Sequence, residues 1–206
     1  MQMTSDQQDV MTEIINVGIG RAAASLSELL GKRIALQVPA VTICNISDLS
    51  ERLRDEESGV DLSVVQDFQG GLSGRAMLAF PRRSGIELGK MLGGVDSSHE
   101  ELSIDLIGIL EEVGNIVLNG VLGTVGNMTS LALDYSVPRL AQGVEVTRML
   151  ASHASEQNDT KQMVILADTR FTVAEDSITG SLILLFDIQS LRSIMRNLIE
   201  PAAECR

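Results

Sequence analysis

Residues 9–16 read Asp-Val-Met-Thr-Glu-Ile-Ile-Asn, and residues 108–115 read Gly-Ile-Leu-Glu-Glu-Val-Gly-Asn. Both stretches contain Glu-x-x-Asn, and each is followed by a proline, Pro39 after the first and Pro138 after the second. The two glutamates, the two asparagines and the two prolines are each separated by 99 residues. An offset held without gaps across three residue types indicates an internal repeat.

The first copy predicts a polar helix face. Residues three apart are neighbours on a helix, so Glu13 and Asn16 lie side by side, and Asp9 extends the same face by one turn. The apolar residues Val10 and Ile14 fall on another stripe, which predicts that the polar face points outward.

The second copy keeps Glu112 and Asn115 but has Gly108 where the first copy has Asp9. Asp105 lies seven residues before Glu112, too far along the helix to replace that side chain directly. We therefore expect two sites of similar composition, the first more complete than the second, and a larger loss of activity from removing Asn16 than from removing Asn115.

Patterns along the rest of the chain predict helices and strands in the same order in each half. A helix is predicted from Ser5, as N-cap, to Leu30, with Gly31 as C-cap and with Gly18 and Gly20 allowing another element to come close. Further helices are predicted at about 84–92, 103–122 and 190–199. Alternating apolar residues predict strands; these lie near 34–44 (interrupted at Pro39), 60–64, 75–80, 131–137, 144–150, 163–171 and 181–186.

Hairpin-rich strands beside segregated helices are typical of an α+β fold. The segments 73–80 and 179–186 also resemble each other, since both read Ser or Thr, Gly, one polar residue and then an apolar run that ends in Phe. We expect one domain over residues 1–206 with repeat halves at about 1–95 and 100–206. The expected architecture is a pseudo-two-fold internal repeat, with a largely antiparallel sheet and two long helices that carry the sites in equivalent places.

The composition argues against several classes of protein. The net charge is −12, and an acidic surface repels nucleic acid and anionic lipid, so neither nucleic-acid binding nor membrane insertion is expected. The N-terminus lacks the basic and apolar regions of a signal peptide, and no apolar run predicts a membrane helix. Cys44 and Cys205 lie far apart and do not suggest a disulfide framework or a metal site. These features predict a cytoplasmic protein.

Other motifs give weaker indications. Residues 18–23 match the dinucleotide-binding pattern Gly-x-Gly-x-x-Ala, but a helix rather than a strand precedes them, and no acidic residue follows near Val38. His99 and His153 lack ligand-like spacing to acids or cysteines. Ser25 and Ser27 have no paired base, so a serine nucleophile is not predicted.

The repeated pattern Asp/Ser-x-x-x-Glu-x-x-Asn, with a proline about two dozen residues later, resembles the CheC/CheX/FliY family of chemotaxis phosphatases. Residues 16–23 and 29–33 are also similar to the first helix of that family and its exit, and the two-site organisation is most similar to the CheC type. The resemblance implies hydrolysis of the phospho-aspartate on a phosphorylated CheY-like receiver domain. It covers essentially the whole chain.

In this resemblance, Asn16 and Asn115 would orient the attacking water, and Glu13 and Glu112 would dock the receiver, with Asp9 as an accessory residue. The chain would need no cofactor or metal of its own, because the receiver domain brings its Mg²⁺. The alternative is a non-catalytic adaptor that binds a receiver domain or the deamidase CheD. An adaptor has no need for two intact asparagines, which favours the phosphatase.

Overall fold

The computed structural model describes residues 4–44, 61–93, 102–146, 148–149, 162–173, 176–187, 190 and 194. Within these ranges three helices of 12 or more residues pack against one sheet. The predictions of a loop at 47–58, a linker at 96–99 and most of a helix at 190–199 fall outside the described residues.

Two long helices and one short helix are described: α1 (Ser5–Leu30), α2 (Arg82–Gly93) and α3 (Ile104–Thr129). The backbone N–H of Gln8 donates to the carbonyl of Thr4 at 3.1 Å, so α1 starts one residue earlier than the Ser5 cap predicted. At its other end Gly31 has φ of +60°, the left-handed conformation expected of a helix C-cap.

The described residues contain seven strands of one sheet, and every pairing among them is antiparallel. The strands are β1 (Ile34–Cys44), β2 (Leu62–Gly70), β3 (Gly74–Phe80), β4 (Leu133–Tyr135), β5 (Arg139–Gln142), β6 (Gln162–Val173) and β7 (Asp176–Asp187). The strand order is β1-β6-β7-β3-β2, and both β4 and β5 lie beside β2 at the far edge. The predicted α+β fold with a largely antiparallel sheet is therefore confirmed.

The sheet register is symmetric about its centre, where β3 pairs with β7. At one edge Ile34 pairs with Val173, and at the other Leu133, which is 99 residues after Ile34, pairs with Gly70. Thus β1 from the first half pairs with β6 from the second, while β4 and β5 from the second half pair with β2 from the first. The two halves exchange their outer strands, and the fold has a pseudo-two-fold axis between β3 and β7.

The repeated prolines fall at equivalent breaks in the edge strands. The register of β1 shifts between Gln37 and Ala40, which flank Pro39, and the gap between β4 and β5 contains Pro138. Proline has no N–H to donate, so both edge ladders are interrupted at the same place. This confirms the expectation that Pro39 marks an edge strand.

The predicted strand at 144–150 is wrong, because residues 144–146 and 148–149 are helical. Gly143, with φ of +53°, ends β5, and the buried residues Val146 and Met149 are three apart, the spacing of a helix face. The alternation of Val144 and Val146 suggested a strand, but Val144 is exposed. This turn of helix packs Val146 and Met149 into the core on the face of the sheet opposite the long helices.

Helices α1, α2 and α3 cover the other face of the sheet with a mainly aliphatic core that also contains Phe68, Phe80 and Phe171. By length and composition alone, α3 could cross a membrane, contrary to the expectation of no such run. Its buried side chains pack against α1 and the sheet, which accounts for its apolar composition.

Candidate functional site

The two motif helices are packed against each other at a glycine. A Cβ placed on Gly18 would lie 2.6 Å from the Cα of Val121, so α3 passes directly over the backbone of α1 at this point. This confirms the close approach predicted for Gly18. The same prediction for Gly20 is wrong, because no atom of the described residues outside its own helix lies within 4 Å of a Cβ built there.

The first motif lies on the open face of α1. Asp9, Glu13 and Asn16 are all exposed, while Met11, Ile14 and Ile15 between them are buried. In the part of the chain that the structure describes, the side chain of Asn16 has no hydrogen-bond partner. The amide of Asn16 is therefore available to a molecule that approaches α1.

The second motif lies on α3, and its two residues differ in exposure. Glu112 is exposed, and Asn115 is half-buried. Asn119, one turn further along α3, donates from Nδ2 to Oδ1 of Asn115 at 2.7 Å. Neither Asn16 nor Asn115 is buried against the core, so both helices stay candidates.

A buried glutamine connects this second motif to the sheet. Nε2 of Gln66, on β2, donates to Oδ1 of Asn119 at 3.1 Å and to the carbonyl oxygen of Ser136 at 3.0 Å. Gln66 is only 2% exposed, and its Oε1 has no hydrogen-bond partner among the described residues. Next to Ser136, desolvation raises the pKa of the Tyr135 phenol above its usual value of 10.0. Sequence reasoning missed this network, and the only signal for it was the four-residue spacing of Asn115 and Asn119.

Two further contacts fix α3 above the sheet at the motif. Oε1 of Glu111 accepts a hydrogen bond from the backbone N–H of Leu140 at 2.9 Å, two residues after Pro138. A Cβ on Gly114 would lie 2.3 Å from Cγ1 of Val64, so this glycine lets α3 rest directly on β2. Glu111 therefore holds the helix to the edge strand, while its neighbour Glu112 faces solvent.

At the position equivalent to Asp9, Gly108 is exposed, and nothing lies within 4 Å of a Cβ built on it. The space for an acidic or hydroxyl side chain is present, but the side chain is missing. Among the described residues, no group of three or more His, Cys, Asp and Glu could hold a metal ion.

Comparisons with known proteins find relatives that are chemotaxis and flagellar-switch proteins. CheC of Bacillus subtilis, a CheY-P phosphatase, is 28% identical over 142 residues, covering 66% of this chain and 66% of that protein. CheC1 of Halobacterium salinarum is 21% identical over 91% of this chain and 94% of its own length. The flagellar motor switch phosphatase FliY of Bacillus subtilis is 20% identical over 94% of this chain, which spans 49% of that protein. No family model matches the chain.

Among solved structures, FliY of Thermotoga maritima has the same fold, with a TM-score of 0.75 over 98% of this chain at 16% identity. The chain therefore shares its fold with that FliY structure and carries a Glu/Asn pair on each of two equivalent helices. In sequence and fold the chain is similar to proteins of the CheC/CheX/FliY family.

Proposed function

We propose that this protein dephosphorylates a CheY-like chemotaxis response regulator by hydrolysing the phospho-aspartate of its receiver domain. The observation that carries this proposal is the outward position of a Glu/Asn pair on each of two equivalent helices, with neither asparagine buried in the core. The names of CheC and FliY, both described as phosphatases, support the same reaction.

In the proposed reaction, the contribution of this chain is to position the attacking water. Water must attack the phosphorus in line with the leaving carboxylate, and the receiver domain supplies its own Mg²⁺ and most of the charge stabilisation. An amide oxygen of Asn16 or Asn115 accepts one hydrogen of the water and holds its oxygen toward the phosphorus. This role needs no covalent intermediate, cofactor or metal on the phosphatase.

Glu13 and Glu112 serve as docking residues. Each is an exposed carboxylate one helical turn from its asparagine, so each can form a charge-assisted hydrogen bond to a lysine on the receiver. The contact brings the asparagine into register with the acyl phosphate. The net charge of −12 also favours a partner with basic groups around its own site. We place the reaction in the cytoplasm, where such receivers would be phosphorylated.

The direct test is phosphate release from a purified phosphorylated receiver, with and without this protein. Wild-type protein is expected to accelerate release. The Asn16→Ala/Asn115→Ala double variant is expected to lose nearly all of this acceleration while it binds the receiver almost as well, because the water contact matters mainly in the transition state. Normal hydrolysis by the double variant would show that the asparagines do not orient the water.

The second candidate is a non-catalytic adaptor that binds a receiver domain or the deamidase CheD. The exposed face of α1 favours it, because Asp9, Glu13 and Asn16 could form an interface without any chemistry. An adaptor would bind the phosphorylated receiver and leave the rate of phosphate release unchanged, so the same assay separates the two candidates.

A further inference from the structure

The side chains beneath the second motif form a hydrogen-bonded chain whose orientation is fixed at one end. Amide oxygen and nitrogen positions have to be assigned from their partners. The carbonyl oxygen of Ser136 can only accept, so the Gln66 atom 3.0 Å from it must be the nitrogen. That nitrogen also faces Asn119, which must therefore present Oδ1 to Gln66 and Nδ2 to Asn115.

This chain determines what Asn115 can offer to a partner. Asn119 Nδ2 donates to Oδ1 of Asn115 and so occupies one of the two acceptor positions of that oxygen. The second acceptor position and the amide NH₂ group remain for a water molecule. The contact also holds the side-chain torsions of Asn115, so less conformational freedom is lost when it binds the water.

The first motif has no such support. The position equivalent to Asn119 at the offset of 99 residues is Gly20, which is exposed and has nothing within 4 Å of a built Cβ. Val65 pairs with Arg139, and Asp168 pairs with Ala40, which lies 99 residues before Arg139. Val65 and Asp168 are therefore equivalent positions in the sheet, and so are the residues that follow them, Gln66 and Thr169. Thr169 is buried, and its Oγ1 has no hydrogen-bond partner in the part of the chain that the structure describes. The two motifs therefore share their Glu and Asn but differ in what lies beneath them.

We propose that Asn119 is a positioning residue for Asn115, anchored to the sheet by Gln66, and that it makes the second motif a preorganised site. The proposal rests on the phosphatase function proposed above. It assigns Asn119 no contact with the substrate, since it acts through Asn115.

The test isolates the second site with Asn16→Ala and then changes Asn119. Asn119→Asp is nearly isosteric: its carboxylate still accepts from Gln66 but cannot donate to Asn115. In the Asn16→Ala protein, Asn119→Asp and Asn119→Ala are both expected to lower kcat for phosphate release about three- to tenfold, the value of one hydrogen bond. Receiver affinity should stay within about twofold, since neither change touches Glu112.

A purely structural role for Asn119 gives a different result. If Asn119 serves only to pair with Gln66, Asn119→Asp keeps kcat at the Asn16→Ala level, and the proposal is overturned. As a control, Asn119→Asp is expected to leave kcat unchanged in the Asn115→Ala protein, where only the first motif works. A matched change, Gly20→Ala, should likewise leave kcat unchanged there.

Failure of this proposal can be told apart from failure of the proposed function. No acceleration by wild-type protein would remove the phosphatase function itself. An active wild type with an inactive Asn16→Ala variant would show that the second motif does not work, which overturns only the role of Asn119. If the Asn16→Ala variant is active and keeps its kcat after both Asn119→Asp and Asn119→Ala, the role of Asn119 is likewise overturned while the phosphatase function stands.

Discussion

Gly18 of α1 and Val121 of α3 lie so close that a Cβ on Gly18 would be 2.6 Å from the Val121 Cα. Because the nearest atom belongs to the backbone, a rotamer change cannot relieve the clash, and the helices would have to move apart. Helices α1 and α3 each carry one motif. A change in the distance between the two helices at this crossing would therefore shift both exposed motif faces.

Gly18→Ala is therefore expected to destabilise the protein by about 1–3 kcal/mol, the range for overpacking a core contact. Gly20→Ala is the matched control, in the same helix and with nothing within 4 Å. It should stabilise the protein by about 0.5–1 kcal/mol, because alanine loses less backbone freedom in a helix than glycine. Denaturant unfolding of both variants measures the difference, and equal midpoints would contradict the close packing.

Substitutions of the two neighbouring glutamates of α3 are expected to have different effects: one should lower stability, and the other should weaken receiver binding. Glu111→Ala removes the acceptor for the half-buried Leu140 N–H, which should reduce the free energy of unfolding by about 1–3 kcal/mol. Glu112→Ala changes an exposed side chain and should alter it by less than about 0.5 kcal/mol.

Binding should show the opposite order. With Glu13→Ala present to remove the first docking contact, Glu112→Ala should weaken receiver binding about tenfold or more, because a charge-assisted hydrogen bond is lost. Thermal unfolding and receiver titration of the same two variants give both readouts. A large loss of stability from Glu112→Ala would mean that it supports the fold rather than the partner.

The repeat could be predicted from the sequence because equivalent residues are separated by a constant number of positions. The offset that relates Glu13 to Glu112 also relates β1 to β4 and β5, and the helix-period patterns located α1 and α3. Exposure of Glu13, Asn16 and Glu112 followed from the same periodicity.

Features that depend on contacts between distant segments could not be predicted. The exchange of edge strands joins β1 to β6, and a local pattern does not specify which strand is the partner. In the sequence nothing but its spacing distinguishes Asn119 from the other polar residues of its helix. Its role depends on Gln66, which β2 places beside it. The alternation of Val144 and Val146 after Gly143 predicts a strand, but an alternation over only three residues does not distinguish a strand from a helical turn.

Magnesium should bind the receiver rather than this protein. Among the described residues, no group of three or more His, Cys, Asp and Glu lies close enough to hold a cation. Calorimetric titration of the isolated protein with Mg²⁺ is expected to show only heat of dilution, whereas the receiver alone should bind it. Tight, stoichiometric binding to the isolated protein would contradict the proposal that the partner supplies the metal.

Gly108 provides a test of how much the missing side chain matters. Its Cβ position is open, and the residue lies in the second turn of α3, so Gly108→Ser should fold without strain. In the Glu13→Ala protein, where the first docking contact is removed, it is expected to tighten receiver binding about two- to fivefold, equivalent to about 0.5–1 kcal/mol for one added hydrogen bond.

The reciprocal change should have the reverse effect. Asp9→Gly in the Glu112→Ala protein, where the second docking contact is removed, takes the equivalent side chain from the first motif and is expected to weaken receiver binding by a similar factor. If Asp9 favours docking and Asn119 favours turnover, the first motif should dominate below receiver saturation. Asn16→Ala should then lower phosphate release more than Asn115→Ala at low receiver concentration, and the difference should shrink as the receiver approaches saturation. Equal losses at every concentration would show that neither Asp9 nor Asn119 distinguishes the two motifs.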